Sequence, residues 1–250
     1  MKYNLTSIKH NVLFLFSFTL LLISACGSDK EIPSVCIFDK APLIDKPSKK
    51  EGKFLFSVSL GEKVLYLDKT DEDEKGKKFY KVKLLDGSEG WLQADFVTLN
   101  ARPALVITKS DIYSRPDLST ITKKSFDLLD IIAISSAKDD WLEVTGKRKN
   151  GKWMEKGWIK NSGYSESTTD IAVALLMNRA LAKPKKTDKL AELNAIVANT
   201  TLSGSSIEYK LIEEIRKLDP TAFPEYAVDE NEDYEREEDE PIVDTVTTQN

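Results

Sequence analysis

Histidine is almost missing from this chain of 250 residues, and cysteine is scarce: one histidine and two cysteines in all. The histidine, His10, lies in a leading segment built like a signal peptide, with basic Lys2 and Lys9, an apolar stretch from Val12 to Ile23, and the small residues Ser24 and Ala25. Removal of residues 1–25 leaves a mature chain with no histidine. Such a chain cannot assemble Cys-His or Ser-His-Asp nucleophilic machinery, nor a histidine-ligated zinc site. A long hydrophobic run is also absent. The stretch from Val12 to Ile23 meets polar residues well short of the about 20 apolar residues that a membrane-spanning helix needs.

What stands at the end of that stretch, Leu22-Ile23-Ser24-Ala25-Cys26, resembles the lipobox of bacterial lipoproteins. The resemblance implies that Cys26 is the first mature residue, with a diacylglyceryl group on its sulfur and an acyl group on its amine. Each buried methylene contributes about 0.8 kcal/mol, so several chains anchor far more firmly than one. The implied location is the bacterial cell envelope, held to a membrane through the lipid and expected at the outer membrane, with either face open. Cys36 is then the sole thiol and forms no internal disulfide. It reads as a small packed hydrophobe or as a thiol able to pair with another chain, and no base of the usual kind activates it as a nucleophile.

Charge is concentrated at one end. Residues 229–250 carry ten acids against Arg236, a net of −9. The whole chain is −5, or −7 once Lys2 and Lys9 are lost, which leaves about +2 on residues 26–228. The segment 221–250 is therefore expected to be a disordered acidic tail that aids solubility, contacts a basic partner or weakly holds divalent cations.

Between these ends the chain repeats itself. Ile44-Asp-Lys-Pro47 is matched by Ile112-Tyr-Ser-Arg-Pro116, the Ser59–Tyr66 segment by Asp127–Ile134, Phe79-Tyr-Lys-Val82 by Trp141-Leu-Glu-Val144, and Gly90-Trp-Leu92 by Gly157-Trp-Ile159. Period-two alternation marks about five short strands per unit, with Val64 and Tyr66 on one face. Leu85-Asp86-Gly87-Ser88 reads as a two-residue hairpin turn, and Lys149-Asn150-Gly151-Lys152 as its counterpart. So few residues per unit fit a small, strongly bent barrel better than a sandwich.

Both units resemble bacterial SH3 (SH3b) domains, on Arg115, Pro116, Trp141, Leu142, Val144, Gly157, Trp158 and Ile159 in the second and on the matching positions of the first, where Phe79 replaces the first tryptophan and the arginine is missing. The expected fold is mainly β: two small SH3-like β-barrels, at 41–100 and 101–165, then a short α-helical region at 168–220 and the tail. Residues 26–40 are expected to be a lipidated linker, its roughly 14 residues spanning at most about 45 Å. The resemblance implies binding of cell-wall peptides and no catalysis by these units.

Candidate binding residues are aromatic and basic. Tyr80, Tyr113, Trp141, Trp153 and Trp158 offer large area with a polar edge. Trp158, like Trp91, follows a glycine in a closing strand and also reads as packing, whereas Trp153 follows a turn outside the repeated motif. Lys147, Arg148 and Lys149 make the second unit's hairpin basic, set against the acidic run Asp68–Glu74 in the first. Such charges are either a solvated face or an attraction for anionic peptides, polysaccharide, lipid headgroups or the chain's own tail.

In the helical region, three short helices are expected: Asp170–Ala182, ending before Pro184; Asp188–Ala198; and one opened by a capping box at Ser205-Ser-Ile-Glu208 with Ile207, Leu211, Ile215 and Leu218 on one face. They pack on each other or on the second unit, or else dock another protein. The expectation is a non-enzymatic, lipid-anchored envelope protein that binds cell-wall peptide or an envelope protein. The alternatives are a surface adhesin that holds host matrix or polysaccharide through the basic hairpin, and a scaffold that docks through its helices. No cofactor, metal or nucleic acid is expected.

Overall fold

The computed structural model describes residues 30–148, 151 and 153–224. The leading segment with Cys26, the hairpin residue Lys149 and the tail from 225 lie outside the described residues. The described residues are mainly β, with two antiparallel sheets followed by three helices.

The first sheet holds β1 (Ile32–Cys36), β2 (Ala41–Ile44), β3 (Phe54–Val58), β4 (Lys63–Glu72), β5 (Lys78–Lys83), β6 (Glu89–Gln93) and β7 (Val97–Leu99) in the order β3-β2-β6-β5-β4-β1-β7. The second holds β8 (Arg102–Val106), β9 (Ser110–Tyr113), β10 (Ile121–Phe126), β11 (Ile131–Lys138), β12 (Trp141–Lys147), β13 (Met154–Lys160) and β14 (Tyr164–Ser165) in the order β10-β9-β13-β12-β11-β8-β14. The two orders are identical when counted from each unit's first strand. The duplication read from short motifs is therefore a duplication of topology, with seven strands per unit where five were expected.

Two expectations are corrected by this topology. Residues 32–36 do not belong to a linker: β1 pairs with both β4 and β7, and Val35 and Cys36 are fully buried. The equivalence of Ile44 with Ile112 is one residue out. Ile44 pairs with Trp91 as Tyr113 pairs with Trp158, so Ile44 answers to Tyr113, and a one-residue slip moves a side chain to the other face of a strand.

The Gly-Trp motif has a packing cause. A Cβ on Gly90 would lie 2.6 Å from Leu43 Cγ and 3.0 Å from the Ile44 carbonyl oxygen; one on Gly157 would lie 2.5 Å from Ile112 Cγ2 and 2.9 Å from the Tyr113 carbonyl oxygen. At both places the closing strand crosses the second strand of its unit too closely for any side chain. The Asp86-Gly87 turn differs from expectation: only Gly87 has positive φ, +87°, and Leu84 N–H donates to the Ser88 carbonyl at 2.8 Å. Three residues therefore form the loop, the usual form when a type I turn is followed by one left-handed residue. The acidic run Asp68–Glu74 is mostly strand, since β4 extends to Glu72.

Each unit has its own core, the first around Leu43, Val64, Val82 and Leu92, the second around Phe126, Ile132, Leu142 and Ile159. Val35 and Ile37 pack with Ala133 between the units. The helices α1 (Thr168–Leu181), α2 (Lys186–Ala198) and α3 (Glu208–Leu218) share a third core with Leu105, Leu129 and Ile131 of the second unit. Their apolar faces are thus turned inward, on each other and on that unit. Arg179 of α1 also reaches the first unit, where its Nε donates to Asp39 Oδ2 at 3.1 Å and its Nη2 to Ser59 Oγ at 3.3 Å. No described helix is long and apolar enough to cross a membrane.

The capping box is not formed. α3 has no side-chain cap, and Ser205 and Ser206 instead donate their hydroxyls to Asp170. Order also continues past 220, with Ala222 and Phe223 packed against the helical core.

Candidate functional site: the groove between the two units

A groove of about 850 Å³ runs between the two sheets, within the size range of small-ligand sites. One wall comes from alternation along a strand: Glu143, Thr145 and Lys147 occupy every second position of β12, and Met154 and Lys156 stand beside them on β13 in register with Lys147 and Thr145. Trp153, just before β13, is 71% exposed at the rim. The first unit supplies Ile37 and Phe38 beyond β1, Tyr80 of β5, Gln93 at the end of β6, the turn Ala94–Phe96 and all of β7. Phe38 and Phe96 stack with ring centroids 4.3 Å apart, and Tyr80 lies 4.9 Å from the ring of Tyr66.

Most of the nearby charge is paired. Lys156 Nζ is 3.0 Å from Glu143, Lys77 Nζ is 3.4 Å from Asp95, and Gln93 Nε2 donates to Asp95 at 3.0 Å. Arg148 folds back to Glu155 at 3.2 Å, where Lys124 also arrives at 2.7 Å. Hydrogen bonding from Lys124, helped by its charge and by Arg148 and against some desolvation, holds the Glu155 carboxyl below the ordinary range. The charge of Arg148 is thus already matched within the fold.

Of the candidate residues, the fold brings Tyr80, Lys147 and Trp153 together in this groove. It does not bring Tyr113, Trp141 and Trp158 there. Tyr113 and Trp141 meet edge-to-face at 4.8 Å and are 9% and 8% exposed, while Lys160 Nζ lies 3.9 Å from the Trp141 ring centroid. Burial and the lysine leave little of Trp141 for a ligand. Trp158 is half-buried opposite Tyr113. Tyr113 and Lys160 border a separate depression of about 200 Å³. Arg148, bound to Glu155, does not line the groove. Phe38, Phe96 and Gln93 were not visible as site residues, because their only shared signal is the packing of one unit on the other.

Cys36 is resolved as a packed hydrophobe. Its thiol is fully buried in the first unit's core and donates to the Phe38 carbonyl at 3.2 Å, and burial raises its pKa to about 12. A thiol so protonated and enclosed neither attacks nor pairs with another chain.

No family model matches this chain, and no curated protein does. Among solved structures, it aligns with NlpC2 from Trichomonas vaginalis at 12% identity and a TM-score of 0.23, over 69% of this chain and 57% of that one. NlpC1 from the same organism gives 12% and 0.23 over 62% and 55%. The chain therefore spans little more than half the length of either protein, and likenesses this low carry no weight for fold or function.

Proposed function

We propose that this is a non-enzymatic envelope protein, anchored by lipid at Cys26, whose paired SH3-like units bind cell-wall peptide in the groove between them. The observation that carries the reading is the meeting of Tyr80, Lys147 and Trp153, from both units, around one cleft of ligand size. A side chain as large as Trp153, held 71% exposed at a groove rim, is placed for contact more than for packing. Five residues separate Cys26 from β1, so the first unit stands within about 20 Å of the lipid. The groove draws more support than an adhesin surface on the 147–149 hairpin, since Arg148 there is already bound to Glu155.

The test is capture of the detergent-solubilised full chain by purified peptidoglycan sacculi, with Trp153→Ala alongside. Capture is expected to fall about tenfold in the variant, the scale of losing one good aromatic contact, with the melting temperature unchanged. Equal capture of both proteins, or of neither, overturns the reading.

A further inference from the structure

The groove also contains an open backbone edge. β7 is the outermost strand of its sheet and pairs only with β1. Ile37 N–H donates to the Phe96 carbonyl at 2.8 Å, which sets the phase of the ladder; two steps on, Val35 and Thr98 are the next bonded pair. Leu99 therefore turns both its N–H and its C=O away from β1, and Val97 its C=O, the Val97 N–H being taken by the Ala94 carbonyl. Val97, Thr98 and Leu99 all line the groove.

Beside this edge, Gln93 is 7% exposed. Donation from its Nε2 to the Asp95 carboxylate fixes which way the amide points and leaves Oε1 with no hydrogen-bond partner among the described residues. Buried acceptors in native proteins are nearly always satisfied, so one retained without a partner points to a donor from outside. On the opposite wall Lys147 is exposed and, unlike Lys156, has no carboxylate partner among the described residues.

From these features we infer that the groove takes an extended peptide ending in a carboxylate, which adds as a strand to the free edge of β7. The peptide gives a backbone N–H to Gln93 Oε1, whose side chain swings into the groove as the donor arrives, and its carboxylate pairs with Lys147. Alternate side chains meet Phe38 and Phe96 on one side and Tyr80 and Trp153 on the other. A strand edge repeats donors and acceptors at a spacing that a peptide matches and a chain of sugar rings does not. The inference rests on the reading of this groove as the ligand site.

The experiment uses the full mature chain with Cys26→Ser, titrated with acetyl-Val-Thr-Val-Thr-Val, whose one carboxylate is the C-terminal one, and followed by tryptophan fluorescence. Saturable binding is expected. N-methylation of the alternate amides on one peptide edge should weaken it about tenfold or more, while the same change on the other edge leaves it intact, since only one edge faces β7. Lys147→Glu should weaken binding of the free carboxylate and not of the peptide amide. Gln93→Leu should lose affinity with a thermal midpoint no lower than its parent's, which a merely structural glutamine would not do. Equal binding by both methylated peptides overturns strand addition. A tetramer of N-acetylglucosamine that moves the fluorescence where no peptide does overturns the ligand class and leaves the groove standing. Sacculus capture that survives Trp153→Ala removes the groove itself.

Discussion

Asp170 sits at the first turn of α1, 2% exposed, and every group facing its carboxylate is a donor: Ser165 Oγ at 2.6 Å, Ser205 Oγ at 2.8 Å, Ser206 N–H at 2.8 Å and Ser206 Oγ at 2.7 Å. Burial pushes this carboxyl's pKa up, but the hydrogen bonds from Ser165, Ser206 and Ser205 outweigh it and leave the group below its ordinary value. One charge on α1 thereby ties the last strand of the second unit to the turn that leads into α3. Asp170→Ala strands the three hydroxyls and should cost about 3 kcal/mol in chemical denaturation, with a smaller loss for Asp170→Asn, which keeps one acceptor. A carboxyl with a depressed folded pKa stabilises fully above its unfolded value of about 3.9, and that contribution is lost as pH falls through the folded value. The gap between parent and Asp170→Asn should therefore be constant above about pH 5 and close below pH 4. A gap that widens on acidification would show that the carboxylate is not the stabilising form. The same serines illustrate a limit of reading by motif. Ser205-x-x-Glu208 has the spacing of a capping box, yet a buried charge 35 residues earlier is the stronger partner.

At the scale of elements, the repeated Gly-Trp is the most informative pair in the chain. Gly157→Ala would place a methyl 2.9 Å from the Tyr113 backbone oxygen, and Gly90→Ala one 3.0 Å from that of Ile44. Neither contact is relieved by rotating a side chain, so each variant should lose about 2 kcal/mol or more and lower the thermal midpoint by several degrees. An unchanged midpoint would mean that the strands separate at no cost. These crossings were legible as a motif because they recur with the same neighbours in both units. The helices were legible within about two residues, since Pro184 and the spacing of Ile207, Leu211 and Ile215 act locally. β1 was not, because Ile32-Pro33-Ser34-Val35-Cys36 carries a proline at its second position and is buried by partners found 28 to 65 residues further on. The groove was legible only in part. Trp153 and Lys147 announce themselves by exposure of type, whereas Phe38, Gln93 and Phe96 become site residues only when the second unit closes over them.

At the scale of the molecule, the three cores are not independent. α1, α2 and α3 cover Leu105, Leu129 and Ile131 of the second unit, Leu60 of the first unit packs against the same cluster, and Arg179 binds Asp39 across to that unit. Gly61 lies at this junction, where a Cβ would meet Ile131 Cγ2 at 3.0 Å and Ile171 Cγ2 at 3.1 Å. The repeat boundaries suggested by motif alone, 41–165, therefore cut the protein in two wrong places. A fragment 41–165 removes β1 from between β4 and β7, leaves β7 with no partner, and bares the apolar face that the helices cover. A fragment 30–224 keeps the fourteen strands and three helices of the described residues. Circular dichroism melts should give one sharp transition for 30–224 and a broad, weakly cooperative one for 41–165, which should also bind a hydrophobic dye. If 41–165 melts as sharply and at the same temperature, β1 and the helical cap add nothing to the two sheets, and the groove, with one wall built on β7, would have to hold its shape without the strand that positions it.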